Sequence, residues 1–290
     1  MFKALIETLR PRQWTKNLVI FAGLIFDGQF TQFNPFLRVL AATVLFCLVS
    51  GITYTINDLL DLEADRLHPL KSKRPLASGR LSKNQAILWI IFLTAIVLIG
   101  GYLLSPKLAL IFIAYIVLIL AYSLWLKKIM ILDVIIIAIG FVLRVLAGLS
   151  VISVAYFSPW LFILTTLLAM YLGFGKRLAE LRLLESDASS HRKTLAGYSV
   201  PLLMQYITII LTAILITYTL YTFSARPDQP TYEMMLTIPF VIYGIFRYLY
   251  LIQSDAIVGS PEEVLLKDRP MQIAILLWGL SVMAILYWVL

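Results

Sequence analysis

A row of carboxylates directly follows a long apolar stretch of this chain. Residues 37–56 are apolar enough and numerous enough to span a bilayer, and they are followed by Asn57, Asp58, Asp61 and Asp65. In a continuing helix, Asp58, Asp61 and Asp65 lie at i, i+3 and i+7 and therefore share one face. Like charges repel, and Mg²⁺ neutralises such a group because it binds oxygen ligands and shares carboxylates with substrate phosphates. The pattern predicts a Mg²⁺ site at the mouth of a membrane helix.

A run of cations comes next along the chain. Its members are Arg66, Lys71, Lys73, Arg74 and Arg80. Because arginine binds phosphate through two parallel hydrogen bonds, a polyanion is the expected ligand, and a Mg²⁺-bound diphosphate fits both runs. Lys73, Arg74 and the preceding Asn57 are the candidate substrate-binding residues. Two alternatives stay open, a solvated loop for the whole segment and positive charge that only sets membrane topology for Lys73 and Arg74.

The composition is that of a polytopic membrane protein. The chain has 290 residues, of which 61% are hydrophobic and 14% charged, and its mean hydropathy is +0.90. We predict one all-α domain, 1–290, with about nine transmembrane helices. The predicted spans are 16–33, 36–56, 84–104, 107–126, 130–152, 157–176, 199–223, 233–253 and 270–289.

The distribution of basic residues predicts the orientation in the membrane. Nineteen of the 24 lysines and arginines fall on one side of these spans and three on the other. Cytoplasmic loops carry the excess of such residues, so we expect a cell-membrane protein with a cytoplasmic N-terminus, an external C-terminus and an active site facing the cytoplasm. The net charge of +8 is divided among loops, which suits anionic lipids and substrates and argues against nucleic acid. One cysteine and two histidines are too few for a disulfide or a zinc cluster.

A second polar segment follows the predicted span 157–176. Lys176, Arg177 and Glu180 lie there within one helical turn. Lys176 and Arg177 are candidates for binding a substrate phosphate, and Glu180 is a candidate ligand of a second Mg²⁺ or a partner of a basic neighbour. An ordinary i, i+3 surface pair between Arg177 and Glu180 is the alternative.

Three further positions are candidates for substrate binding. Tyr122 and Lys127 lie at the end of the span 107–126, and Lys16 lies in the N-terminal segment 10–17. Each of these has an alternative as a simple interfacial anchor. Arg144 lies deep in the span 130–152, where a charged residue is a functional candidate by default, and a structural pair with Asp27 or Asp255 is the alternative. Asp133 at the start of that span suits a helix N-terminus.

The motif Asn-Asp-x-x-Asp-x-x-x-Asp at 57–65, the polar segment after the sixth span and the number of spans together resemble the UbiA superfamily of intramembrane prenyltransferases. The resemblance covers nearly the whole chain. It implies a helical bundle with a central cavity that is capped on the cytoplasmic side by the two polar loops. A transporter, the non-enzymatic alternative, would be expected to show matching broken helices in its two halves, and no such correspondence is evident.

The chain departs from the family pattern at one place. Typical members have a second aspartate-rich motif where this chain has Lys176-Arg177-x-x-Glu180. In this it is similar to the branch of polyprenyl-phosphate phosphoribosyltransferases, as it is at 10–17 and 261–269. The resemblance implies Mg²⁺-dependent transfer of 5-phosphoribose from phosphoribosyl pyrophosphate to a polyprenyl phosphate, with release of diphosphate.

The same resemblance implies roles for the acidic residues. Asp58 and Asp61 would be catalytic, and Mg²⁺ would be held by Asp58, Asp61, Asp65 and Glu180. The alternative within the family is transfer of a polyprenyl group from its diphosphate to an aromatic or glycerol-phosphate acceptor. Whether the protein forms a homo-oligomer is left open.

Overall fold

The computed structural model describes residues 2–154, 159–185, 197–224, 232–253 and 267–289. Over these ranges the regular structure is helical, without β-strands. Eight of the described helices are long and apolar enough to cross a membrane. The predicted all-α, polytopic fold class is confirmed. The prediction of a single domain spanning 1–290 stays a prediction.

The N-terminal helices are short. Helix α1 spans Phe2–Thr8, a 3₁₀ helix spans Pro11–Phe21 and α2 spans Ala22–Phe26. The predicted span 16–33 therefore consists of a 3₁₀ helix and little more than one α-helical turn, which Gly28 follows with a φ of 72°. This is why eight spans, rather than about nine, meet the length expected of a membrane helix within the described residues.

The remaining helices correspond to the other predicted spans and to the first polar loop. They are α3 Phe33–Leu60, α4 Leu62–Leu67, α5 Lys83–Leu104, α6 Pro106–Leu124, α7 Leu132–Leu149, α8 Pro159–Glu185, α9 Val200–Ser224, α10 Ile238–Gln253 and α11 Arg269–Ala284. Short 3₁₀ helices span Lys71–Lys73, Leu126–Lys128 and Glu233–Thr237, and a π-helical turn spans Ile285–Val289.

Local sequence explains where several helices begin. Ser82 precedes α5 and forms a capping box with Gln85, since each side chain bonds the other residue's backbone N–H. Pro106 starts α6 at a position where its missing N–H is not needed. The carboxylate of Asp268 caps α11 by accepting from the N–H of Met271 at 2.9 Å.

The chain folds as two compact units. The first contains residues 1–125 and 143–155. Its core is built around Phe46, whose ring lies edge-on to Phe112 at 5.7 Å and to Tyr115 at 4.8 Å. Gly148 in α7 packs against the Pro11–Phe21 helix so closely that a Cβ atom there would lie 2.0 Å from the carbonyl oxygen of Ile20. Only glycine permits this approach, which fixes the helix that carries Lys16.

The second unit contains residues 126–142 and 156–290. Its described core includes Val134, Phe174, Leu203 and Ile207. Gly173 in α8 lies so near α7 that a Cβ atom there would be 2.6 Å from Cγ1 of Val134. The beginning of α7, with Asp133, and the C-terminal half of α8, with the second polar segment, are thereby held side by side.

Candidate active site

The acidic motif lies at a joint between two helices. Helix α3 ends at Leu60 and α4 begins at Leu62, so Asp61 is the joint. Helical hydrogen bonding nevertheless continues through it, because the N–H of Asp61 donates to Asn57 O at 2.9 Å and the N–H of Asp65 donates to Asp61 O at 2.8 Å. The motif therefore keeps the helical spacing that its sequence predicts.

Asp58 and Asp65 are brought together by one arginine. Both side chains are buried, at 2% and 3% exposure. Nη1 of Arg74 donates to Asp58 Oδ1 at 3.0 Å and to Asp65 Oδ2 at 2.6 Å. The guanidinium of Arg10 also donates to Asp58 Oδ1. One cationic atom can thus contact two motif carboxylates at the same time.

Asp61 is engaged differently from the other two acids. Its Oδ2 accepts from Nδ2 of Asn57 at 3.0 Å. Among the described residues no group of three or more His, Cys, Asp or Glu side chains converges as a metal cluster. Asp58 and Asp65 nevertheless face one position that a cation can occupy. This arrangement fits Mg²⁺, which is usually bound by one or two carboxylates together with waters and substrate phosphates. Asp61 as a third ligand stays a prediction.

The basic side chains of the loop after α4 lie in different surroundings. Helix α4 ends at Leu67, and His68 is extended because a residue that precedes a proline disfavours the helical conformation. A turn at Gly79, with a φ of 77°, returns the chain towards α5. Arg74 points to the carboxylates, whereas Lys73 is exposed.

Arg80 faces the N-terminal helix. It binds Glu7 through two hydrogen bonds of 2.8 and 2.9 Å. The hydrogen bonds from Arg80 hold the pKa of Glu7 below its usual value. The pair attaches α1 to the loop that carries Arg74.

Arg10 is a residue whose partner the sequence does not reveal. Its backbone is left-handed, with a φ of 50°, and its guanidinium lies 4.7 Å from the ring centre of Tyr54. This conformation is uncommon for a residue other than glycine. It directs the side chain to Asp58, which lies 48 positions later in the sequence.

Lys16 and Tyr122 are half-buried in the first unit. The neighbour of Lys16, Asn17, is buried and accepts from Nε of Arg144 at 2.8 Å. Nη2 of Arg144 donates to the hydroxyl of Tyr115 at 2.7 Å. The intramembrane Arg144 thus belongs to a buried polar network that ties α7 to the Pro11–Phe21 helix.

The second polar segment contains a buried ion-pair network. Lys176 is exposed, whereas Arg177 is 3% exposed. Nε of Arg177 donates to Asp133 Oδ2 at 2.8 Å and Nη1 donates to Glu180 Oε2 at 2.5 Å. The i, i+3 pair that the sequence offered as an alternative is present, and it is extended to Asp133 in the first turn of α7.

Tyr198 completes this network. Its hydroxyl accepts from the N–H of Ile131 at 2.7 Å and lies 3.2 Å from Asp133 Oδ1, to which it donates. Burial, together with the neighbouring Asp133 charge, raises the pKa of Tyr198 to about 12. Lys127, half-buried, lies in the 3₁₀ turn just before Ile131. No spacing in the sequence indicates Tyr198, because its partners lie 65 and 67 positions away.

Comparison with known proteins identifies the class. The UbiA prenyltransferase family matches residues 18–259. The decaprenyl-phosphate phosphoribosyltransferase of Mycolicibacterium smegmatis is 34% identical over 99% of this chain and 93% of its own length. The protein of the same name from Corynebacterium glutamicum is 32% identical over 98% and 86%. The solved structure of a UbiA homologue from Archaeoglobus fulgidus, bound to GPP and Mg²⁺, has a TM-score of 0.71 at 21% identity, covering 98% of this chain and 99% of that one.

The chain belongs to the UbiA prenyltransferase family. It is a multi-pass membrane transferase, and its resemblance to the phosphoribosyltransferase branch is confirmed by the two relatives of that name. The third stretch of that resemblance, 261–269, lies outside the described residues up to position 266.

Proposed function

We propose that this enzyme transfers 5-phosphoribose from phosphoribosyl pyrophosphate to a polyprenyl phosphate, with release of diphosphate, at the cytoplasmic face of the cell membrane. The observation that carries the proposal is similarity along nearly the full length to proteins named decaprenyl-phosphate phosphoribosyltransferase. Lys176 and Glu180, in place of a second aspartate-rich motif, agree with it. The excess of lysine and arginine on one side of the spans supports the cytoplasmic face.

The reaction needs charge stabilisation more than it needs proton transfer. A phosphate oxygen of the lipid forms a bond to C1 of the ribose, and the bond from C1 to the diphosphate oxygen breaks with its electron pair leaving on the diphosphate. Positive charge develops on the ribose and negative charge on the leaving oxygen. Because the acceptor phosphate is already anionic, no general base is required, and positioned cations supply most of the catalysis.

The acidic motif fits the leaving diphosphate. Asp58 and Asp65 would hold Mg²⁺, with Asp61 as the predicted third ligand, and the bound ion would neutralise the diphosphate charge. The Mg²⁺ bound to the Archaeoglobus fulgidus homologue supports the choice of metal. Arg74 and Arg10 already contact these carboxylates, so their guanidinium groups are placed to bind diphosphate oxygens beside the metal.

The exposure and the partners of the remaining candidate residues suggest a different role for each. Lys176 is exposed, whereas Arg177 is buried between Asp133 and Glu180. We therefore assign phosphate binding to Lys176, with Lys16, Lys73 and Lys127 as further candidates, and we assign to Arg177 the orientation of Glu180. Asn57 and Tyr122 supply neutral hydrogen-bonding groups for the ribose or a phosphate. Glu180 remains the predicted ligand of a second Mg²⁺.

Transfer of labelled ribose to lipid tests the proposal. Purified protein in detergent with Mg²⁺ is given labelled phosphoribosyl pyrophosphate and a polyprenyl phosphate, and label extracted with the lipid is followed. We expect lipid-bound label that disappears with EDTA and in Asp61→Asn. The matched control is Glu63→Gln in the neighbouring helix α4, since Glu63 is exposed and pairs with Arg66, and it should retain activity.

A different outcome would assign another activity. If no label enters the lipid while a polyprenyl diphosphate and an aromatic or glycerol-phosphate acceptor react, the enzyme is a prenyltransferase in the narrow sense. The acidic motif would then keep its role, and the assignment of Lys176 to phosphoribose would be wrong.

A further inference from the structure

Ile131 has an unusual backbone conformation. Among the described residues, only Arg10 and Ile131 have a positive φ without being glycine, and the φ of Ile131 is 68°. A β-branched residue rarely adopts this left-handed conformation, because its Cβ substituents crowd the backbone. Such strain persists only where surrounding contacts enforce it, and it concentrates at functional positions.

The backbone at Ile131 is hydrogen-bonded to Tyr198. The N–H of Ile131 donates to the Tyr198 hydroxyl at 2.7 Å, and that hydroxyl donates to Asp133. With its pKa raised to about 12, the hydroxyl stays protonated at neutral pH and serves both bonds at once. Tyr198 is 6% exposed, and its ring packs edge-on to Phe174, with 6.3 Å between ring centres.

A single hydrogen-bonded path runs from this turn to the second polar segment. It passes from Ile131 through Tyr198 to Asp133, and from Asp133 through Arg177 to Glu180. Lys127 lies four residues before Ile131, in the 3₁₀ turn Leu126–Lys128 that leads into α7. The position of Lys127 relative to α8 therefore depends on the strained turn.

We propose that Tyr198 is a positioning residue, whose hydroxyl holds the turn at Ile131 and thereby places Lys127 to bind a substrate phosphate. The proposal rests on the proposed function in one respect, the binding of a substrate phosphate by Lys127. It adds Tyr198 to the residues that support substrate binding, and it assigns a role to the strained turn that the tyrosine hydroxyl holds.

The first test compares the Michaelis constants of Lys127→Ala, Tyr198→Phe and a control variant. Lys127→Ala identifies the substrate that Lys127 binds, because that KM should rise. Tyr198→Phe keeps the ring and removes the hydroxyl, and we expect it to raise the KM of the same substrate about tenfold, the effect of one lost hydrogen bond, with kcat little changed.

The matched control is Tyr218→Phe. Tyr218 is also buried, and its hydroxyl bonds Thr237 at 2.5 Å and accepts from Trp278 at 2.7 Å. It lies about 27 Å along the axis of α9 from Val200. This variant should lose similar stability and leave both KM values unchanged.

A rescue experiment separates positioning from general loss of stability. Glycine adopts a positive φ without strain, so Ile131→Gly should keep the turn in place without the hydroxyl. We expect Tyr198→Phe combined with Ile131→Gly to recover the wild-type KM to within about twofold, against the roughly tenfold rise of Tyr198→Phe alone. A double variant whose KM is no lower than that of Tyr198→Phe would overturn the proposal, as would a rise in the KM of the other substrate only.

A measurement without turnover distinguishes failure of this proposal from failure of the proposed function. Ile129 is 51% exposed, and the native Cys47 is 6% exposed, so a spin label on Ile129→Cys reports mainly on the turn. We expect a more mobile electron paramagnetic resonance spectrum in Tyr198→Phe and an unchanged one in Tyr218→Phe. Equal mobility of the label in the parent protein, in Tyr198→Phe and in Tyr218→Phe would refute the proposal that the Tyr198 hydroxyl holds the turn, whichever substrate the enzyme uses.

Discussion

Arg74 is bonded to Asp65 through an Nη1···Oδ2 distance of 2.6 Å, and the same nitrogen lies 3.0 Å from Asp58. A guanidinium group therefore occupies the position between two buried carboxylates that a divalent cation would need. Arginine and metal compete for the same oxygen atoms. In the proposed function the side chain of Arg74 would have to move when the metal binds, and the oxygens of the proposed diphosphate substrate would suit its planar donors.

Replacing Arg74 should separate metal binding from donor binding. Arg74→Gln removes the competing cation, so we expect Mn²⁺ alone to bind about tenfold more tightly, while the KM of the diphosphate donor rises about tenfold. Electron paramagnetic resonance titration of Mn²⁺ measures the first effect and steady-state kinetics the second. Arg66→Gln, which loses only a pair with the exposed Glu63, is the control. Unchanged Mn²⁺ affinity in Arg74→Gln would show that the guanidinium does not compete.

Neutralising the acids of the motif should stop the reaction. We expect Asp58→Asn and Asp61→Asn each to lower turnover by about 100-fold or more and to weaken the dependence on Mg²⁺, because charge on the leaving group would no longer be stabilised. Thermal unfolding in detergent checks that both variants still fold. Full activity in either variant would contradict the metal site.

The close approach at Gly148 predicts a specific intolerance. Gly148→Ala would place a methyl group 2.0 Å from a backbone oxygen, which cannot be relieved by a side-chain rotation. We expect a loss of about 2 kcal/mol in the free energy of unfolding, measured by denaturation in detergent. Gly279→Ala is the control, since beyond its chain neighbours and its own helix backbone no atom lies within 4 Å of its added Cβ, and it should stabilise α11 by about 0.5–1 kcal/mol. Equal effects of the two changes would contradict the packing argument.

The buried network around Arg144 should behave as a unit. Arg144→Met leaves Asn17 and Tyr115 without a donor, so we expect a loss of about 3 kcal/mol in stability, whereas Tyr115→Phe should lose about 1 kcal/mol. In the double variant the two losses should not add, because the second change removes a group that is already unpaired. Strict additivity in thermal unfolding would mean that the two side chains do not depend on each other.

Much of the helical architecture can be predicted from sequence. The expected spans 84–104 and 107–126 are confirmed as Lys83–Leu104 and Pro106–Leu124, because apolar length and the capping signals at Ser82 and Pro106 are local properties. The expected span 16–33 differs for a tertiary reason. Asn17 is buried by its bond to Arg144, 127 positions later, and the segment around it folds as a 3₁₀ helix.

The sequence indicates which residue types form the candidate site, but it does not indicate which side chains are hydrogen-bonded to each other. The spacing of the aspartates placed them on one helix face, whereas the structure joins Asp58 to Asp65 and joins Asp61 to Asn57. The partner of Asp61 lies four residues earlier, a spacing that also places two side chains on one face of a helix. Asp133 and Arg177 lie 44 positions apart, and no periodicity connects residues that meet only through the packing of separate helices.

The pairing of Asp58 with Arg10 and Arg74 also bears on how the protein is made. Arg10 leaves the ribosome before the first long apolar helix, and Arg74 leaves it after the acidic motif. The chain thus supplies counter-charges from both sides of Asp58 in the sequence, and the buried acid at the end of α3 is paired with both of them. The folded chain therefore pairs this buried acid with its own arginines, and in the proposed function the metal ion is needed for catalysis alone.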